Sequence, residues 1–299
     1  MVVSFIVPMY GVAPYIERCA RSLFSQTFES CEFIFVDDCS TDGSSETLME
    51  LVSHEFSHLK DRITLVRHAS NLGASEARNT ALKIAKGKFV IFVDGDDWLD
   101  PDLAEELVIE QLTNNDDIIF SNYYCSAEGR NKICRVPKFG GRMGTLQVLA
   151  SQSFAVPNRI WGILIRRSLI VDNRVEFNPR LTMGEDFLFL TQLLYFARST
   201  ANITLPLYFY RVDNESSIMK NISRTKQISY IRSAREVDNF LGNREDHDKF
   251  RTTRSLLRHN LIKWLIMRSG HGLYPKALFT RCYTFILNSL WWIRWQLLP

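Results

Sequence analysis

The six cysteines, at 19, 31, 39, 125, 134 and 282, form no CxxC pair and no zinc-ligand spacing. That removes structural zinc modules and disulfide scaffolds from consideration. The amino terminus, MVVSFIVPMYG, has no basic n-region and soon turns polar. No secretory leader is read there, and the chain is expected in a reducing, cytoplasmic compartment. The NIT, NES and NIS triplets at 202, 214 and 221 are then accidental matches to a glycosylation sequon. Long hydrophobic runs are also missing. In the apolar carboxyl-terminal stretch the longest uncharged run, Cys282 to Ile293, has 12 residues, against about 20 for a spanning helix. No GxGxxG follows a strand-like segment and no GxxxxGK[ST] occurs, which excludes the common dinucleotide and P-loop sites. Internal repeats and low-complexity segments are absent.

Negative charge runs out toward the end. From Lys249 onward there are nine Lys or Arg and no Asp or Glu, although the chain as a whole carries 36 basic and 33 acidic residues for a net of +3. The body is therefore mildly acidic and the tail basic, and the tail holds four of the six Trp (264, 291, 292, 295). The rest is ordinary globular material: 299 residues, 46% apolar and 23% charged.

What is present alternates. VVSFIVP, CEFIFV, RITLV and KFVIFV read as strands, separated by amphipathic stretches at 13–26, 44–56 and 74–86, with a further helix at about 101–114 and a strand in DDIIFSNYY. Apolar strands between such helices predict βαβ units and an α/β fold with a mostly parallel twisted sheet flanked by helices. Residues 125–145 suggest a hairpin or loop, and 158–170 a strand or helix edge. GEDFLFLTQLLYFA (184–197) suggests a strong amphipathic helix, and ITLPLYFYRV (203–212) an edge or irregular strand because of its Pro. From 222 onward the chain reads as helical.

An open parallel sheet binds ligands beyond the carboxyl ends of its strands. Each predicted strand delivers polar or turn-forming residues there: PMYG (8–11), DDCSTDGS (37–44), HASNLGASEARN (68–79) and DGDD (94–97). Clustered carboxylates after a buried strand need a positive partner. Asp94 and Asp96, two apart at a strand end, can face one side, and Mg²⁺ or Mn²⁺ held by one or two carboxylates and bridging to a substrate diphosphate supplies that charge. Two alternatives stand beside this. DGDDWLDPDLAE has Leu99 where an EF-hand loop needs Gly, and helix-capping acids account for Asp100 and Asp102 but not for Asp94 and Asp96.

The ordered set SFIVPMYG, YIERCARSLFSQTF, CEFIFVDDCSTDGS, NLGASEARNTAL and KFVIFVDGDDWLDPD resembles a family 2 glycosyltransferase of the GT-A fold, of bacterial surface-polysaccharide type. It covers 1–125 tightly and, through RIWGILIRRSLI, GEDFLF and YFYR, reaches about 212 more loosely. The resemblance implies a catalytic domain over 1–220, with 1–125 binding a nucleotide-sugar and 126–220 on the acceptor side, followed by a helical, basic, Trp-rich extension over 221–299. It implies that Pro8 and Tyr10 line the base pocket, that Asp38 accepts a hydrogen bond from the base, and that Arg78 faces the nucleotide. Asp94 would approach the ribose or the metal, and Asp96 would be the metal ligand. Asp186 would be the general base, with Glu185 beside it. One departure is Gly11, where the family usually has Asn.

Plainer roles stay open. Tyr10 can be packing, Arg78 a surface or salt-bridge residue, and Glu185 and Asp186 acids at a helix amino end. Asp37 reads as a turn cap, Asp42-Gly43 as turn chemistry, and Trp161 as packing rather than a sugar platform. A single carboxylate base fits an inverting transfer from a nucleoside-diphosphate sugar, UDP-linked by resemblance, to a saccharide or lipid-linked saccharide acceptor. The rivals are a non-catalytic scaffold of the same fold and a sugar nucleotidyltransferase, although VPMYGVAPYI has no basic residue for the latter's phosphate loop. The tail over 272–299 suits peripheral contact with the cytoplasmic face of the inner membrane. It also suits a helical cap or a dimer face, so a homo-oligomer is compatible with the sequence. No nucleic-acid motif is present.

Overall fold

The computed structural model describes residues 2–137, 141–151, 159–214 and 223–268. The tail segment 272–299, and with it the membrane expectation, lies outside the described residues. The first half follows the alternation of the sequence. Strands β1 (Val3–Met9), β2 (Cys31–Asp37), β3 (Ile63–Arg67) and β4 (Phe89–Phe92) alternate with helices α1 (Ala13–Phe24), α2 (Ser44–His54) and α3 (Ala74–Ile84). They assemble in the order β3-β2-β1-β4, all parallel. β2 and β4 are buried along their whole length and β1 along all but Pro8, as expected for strands covered on both faces. Successive side chains go to opposite sides. Phe5, Val7, Phe33 and Phe35 join one core with α1 and α2, while Ile6, Ile34 and Val36 join another with Ala77 and Ala81 of α3.

Beyond β4 the sheet becomes mixed. A two-residue strand β5 (Trp98–Leu99) and helix α4 (Leu103–Asn114) precede the hairpin β6 (Ile118–Ala127) and β7 (Arg130–Cys134). Its turn residues Glu128 and Gly129 both have positive φ, the geometry of a tight hairpin turn. Helix α5 (Gly141–Ser151) follows, then β8 (Ile163–Arg166), α6 (Arg167–Val171), α7 (Glu185–Phe196), β9 (Thr200–Arg211), α8 (Arg224–Gly242) and α9 (Arg251–Arg268). β8 is antiparallel to both β4 and β6, β9 is parallel to β6, and β5 closes the row antiparallel to β9.

Three segments differ in detail from the sequence expectation. Residues 141–151 are helical, although two glycines lower the local propensity. Helix α7 is not simply amphipathic. Phe187 through Thr191 are all buried, as are Leu193 and Leu194, because these residues share one apolar core with strands of the sheet and with Tyr230, Ile231, Ala234 and Val237 of α8. β9 is irregular but not an edge strand. Its register on β6 shifts around Asn122, opposite Pro206, and the Asn122 side-chain amide donates to Thr204 O at 2.7 Å across the break. Among the described residues no helix is long and apolar enough to cross a membrane.

Candidate functional site

The loops that follow β1 to β4 meet at one rim, as the parallel order requires. Asp37 is a structural cap. One carboxylate oxygen accepts the Ser40 N–H at 2.8 Å and the other accepts the Ser45 hydroxyl. Asp42 staples the loop after β1, accepting the Ala13 N–H at 2.9 Å and the Ser44 hydroxyl at 2.6 Å. Burial pushes the Asp42 acid up, but these hydrogen bonds outweigh it and leave it below the ordinary value. Gly11 has φ +66 with open space around its missing Cβ. Gly and Asn are the two residues that adopt this conformation most readily. The departure at Gly11 therefore leaves the backbone of the loop unchanged.

Asp38 is buried, with its N–H donating to Met9 O at 2.8 Å. Its carboxylate accepts the Leu72 and Gly73 N–H groups at 2.8 and 2.6 Å, and His68 Nδ1 lies 2.7 Å away. Of the roughly four lone-pair directions of a carboxylate, about three are thus engaged within the chain. Pro8 is half-buried beside it, and Tyr10 is 60% exposed, which removes the packing alternative for that ring.

Arg78 is the hub. It is 4% exposed. One guanidinium nitrogen lies 3.0 Å from Asp186 and 3.3 Å from Glu185, and the other 3.1 Å from Asp94. The structure therefore brings Arg78 of α3, Asp94 of the loop after β4, and Glu185 and Asp186 of α7 together. Arg78 stays above its ordinary value although burial alone lowers it, because Asp186, Asp94 and Glu185 surround it. Glu185 and Asp186 stand in the first turn of α7 but make no cap there. Burial pushes the Asp186 acid up to about 8. Arg78 acts against this, Glu185 and Asp94 add to it, and the Ile160 N–H bonds to the carboxylate.

The acid loop after β4 is held from β9. The Asp94 N–H donates to the Tyr208 hydroxyl at 3.1 Å, and that hydroxyl donates to Asp97 at 2.7 Å. Asp97 also accepts the Arg211 N–H at 2.7 Å. Asp96 accepts the Asn214 side-chain amide at 2.6 Å, and Arg211 Nε donates to the Asp96 carbonyl at 2.9 Å. Burial, then the charge of Asp94, raises the Asp96 acid above the ordinary value. Asp97 is raised well above it, first by burial and then by Asp96 and Asp94. Trp161 is packing, stacked on Tyr208 at 4.3 Å and on Tyr210 at 5.1 Å. The sequence leaves Asp97, Tyr208 and Asn214 without a role. The only signal is their spacing, with YFYR ending one strand and the NES triplet just after it.

The donor set suits a hard divalent cation shared with a ligand. Asp94 and Asp96 offer only oxygens, and burial together with the neighbouring acids works against the charged forms of Asp96 and Asp97, which a cation would favour. No cage of three or more ligating side chains is formed among the described residues, so a cation here would take its remaining oxygens from a substrate and water.

An open α/β sheet thus carries an acid loop after its fourth strand and a carboxylate pair at the start of α7, joined by Arg78. The family model described as Glycosyl transferase family 2 matches residues 4–170, more than half of the chain. The chain belongs to that family. The uncharacterized glycosyltransferase EpsJ of Bacillus subtilis is 32% identical over 221 residues, covering 72% of this chain and 62% of EpsJ. The chain thus spans less than two thirds of that relative. Among solved structures, Staphylococcus aureus TarS (residues 1–349) in complex with UDP-GlcNAc superposes with a TM-score of 0.71 at 23% identity, over 91% of this chain and 74% of that one. The mannosyltransferase PcManGT of Pyrobaculum calidifontis, in complex with GDP-Man and Mn²⁺, superposes with a TM-score of 0.58 at 17% identity, over 98% and 83%. These likenesses establish the GT-A-type fold.

Proposed function

We propose that the protein transfers a sugar from a UDP-sugar to a hydroxyl of a saccharide acceptor, with inversion, in the synthesis of a cell-surface glycan. One observation carries this reading. Arg78 joins Asp94 of the acid loop to Asp186 of α7, at 3.1 and 3.0 Å, so the two carboxylates proposed as cation ligand and base flank one guanidinium. Family membership and the UDP-GlcNAc held by TarS support the donor class.

The chemistry follows from that arrangement. The acceptor hydroxyl attacks the anomeric carbon, the bond from that carbon to the diphosphate oxygen breaks, and Asp186 takes the hydroxyl proton. An acid pushed up to about 8 is a stronger base once ionised than an ordinary carboxylate. Asp96, with Asp94, would hold Mn²⁺ or Mg²⁺, which when bound offsets charge on the leaving diphosphate. Arg78 adds a fixed positive charge beside both carboxylates. Pro8, Tyr10 and Asp38 form the base end of the donor site. The acceptor side is assigned to the 126–220 part, and the basic, Trp-rich 272–299 sequence supports a lipid-linked acceptor met at the inner-membrane surface. The test is release of UDP from a panel of UDP-sugars with saccharide acceptors, by wild type and Asp186→Asn. Turnover confined to wild type supports the reading. No release from any nucleotide-sugar would sink it and favour the scaffold alternative.

A further inference from the structure

Asn214 belongs to the NES triplet, yet its side chain is buried and its amide points inward. Nδ2 donates to Asp96 Oδ2 at 2.6 Å, and Oδ1 is met by the Tyr15 hydroxyl at 3.4 Å. This is one end of a larger pattern. Tyr208, Arg211 and Asn214 follow one another at intervals of three from the end of β9 into the segment after it, and each engages the loop that carries Asp94, Asp96 and Asp97. Tyr208 fixes the backbone at Asp94 and Arg211 the backbone at Asp96. Asn214 alone of the three touches the Asp96 carboxylate. It occupies one of the two carboxylate oxygens.

We propose that Asn214 is a positioning residue for the cation of the donor site. It orients the Asp96 carboxylate, and Tyr208 is its counterpart at Asp94. This rests on the donor-site reading above. An exposed carboxylate at a strand end rotates freely, whereas a carboxylate with one oxygen tied at 2.6 Å presents the other in a fixed direction. Outer partners of metal ligands typically change metal affinity by about 10- to 100-fold when removed. Tyr208 acts at one remove. Its ring is fully buried against Trp161 and needs the glycine at 162, where a Cβ would lie 2.9 Å from the ring. Tyr208→Phe therefore removes only the hydroxyl and leaves the packing in place.

The experiment is calorimetric titration of UDP into the full chain, with and without Mn²⁺, for wild type, Asn214→Ala, Tyr208→Phe and Asp96→Ala. Thermal unfolding of each variant serves as the control for folding. The expected result is that Asn214→Ala weakens the Mn²⁺-dependent part of UDP binding by about 10- to 100-fold and Tyr208→Phe weakens it less. UDP binding without metal stays at the wild-type level in both. A purely structural role would lower the unfolding temperature and weaken both kinds of binding together, and that outcome overturns the proposal. So does wild-type Mn²⁺ dependence in Asn214→Ala when Asp96→Ala has lost it, which leaves the donor site standing. If Asp96→Ala itself retains Mn²⁺-dependent binding, the donor-site reading fails and the proposal with it.

Discussion

Replacing Arg78 by Met removes the cation between three carboxylates and keeps most of the side-chain volume. Arg78 lies 3.0 Å from Asp186, 3.1 Å from Asp94 and 3.3 Å from Glu185, and is itself buried. Breaking a buried ion pair by removing one partner costs about 3–5 kcal/mol. The Asp186 acid is pushed up to about 8, so near neutrality this group largely carries its proton, which places the expected loss at the lower end. The sign with pH is fixed. Without the guanidinium the folded-state value of Asp186 rises further above its unfolded value. Stability held by a group of raised value is present below its unfolded pKa and lost as pH rises through the folded one. The deficit of Arg78→Met against wild type should therefore widen as pH rises past about 8, where Asp186 ionises beside Arg78 in wild type and stays protonated in the variant. Urea unfolding followed by circular dichroism at several pH values measures it. A deficit under about 1 kcal/mol throughout, or one that shrinks as pH rises, would refute the claim that this cation holds the site together.

Other variants test other parts of the account. Asp186→Asn should bind UDP like wild type and lose about 10²- to 10⁴-fold in turnover. Turnover of the wild type should climb with pH toward about 8 as the base ionises, and Asp186→Asn should lack that limb; a pH-independent wild type contradicts the assignment. Gly162→Ala should destabilise by about 1–3 kcal/mol, because φ is +64 and the added carbon meets the Tyr208 ring at 2.9 Å; a variant as stable as wild type would show that the ring can give way. Gly11→Asn should leave stability and UDP binding within about 0.5 kcal/mol of wild type, while Gly11→Val should lose both, since a β-branched residue is strained at φ +66.

The parallel half of the fold was legible because its strands, VSFIVPM, CEFIFVD and FVIF, are buried on both faces and so carry unbroken apolar runs. The rim was legible for the same reason, since polar residues follow each such run at one end of the sheet. Past residue 125 the periodicity fails. Helix α7 is buried on most faces and shows little alternation, α5 contains two glycines, and β9 carries Pro206 at a register shift. The sequence pointed to Asp94, Asp96, Glu185 and Asp186 separately. That Arg78 joins three of them is a long-range fact, since α7 begins more than a hundred residues later. Asn214 was hidden by a sequon match, and Asp97 by standing beside carboxylates that a strand end already explained.

The central claim is that the Asp94–Asp96 loop holds a cation bridging to a nucleoside diphosphate. It is tested most directly by calorimetric titration of UDP, with GDP and dTDP as controls, with and without Mn²⁺, on wild type and Asp96→Ala. The account predicts UDP binding that strengthens with Mn²⁺ in wild type and loses that dependence in Asp96→Ala. Binding of UDP that ignores Mn²⁺, or an Asp96→Ala protein that keeps the full metal effect, would contradict it.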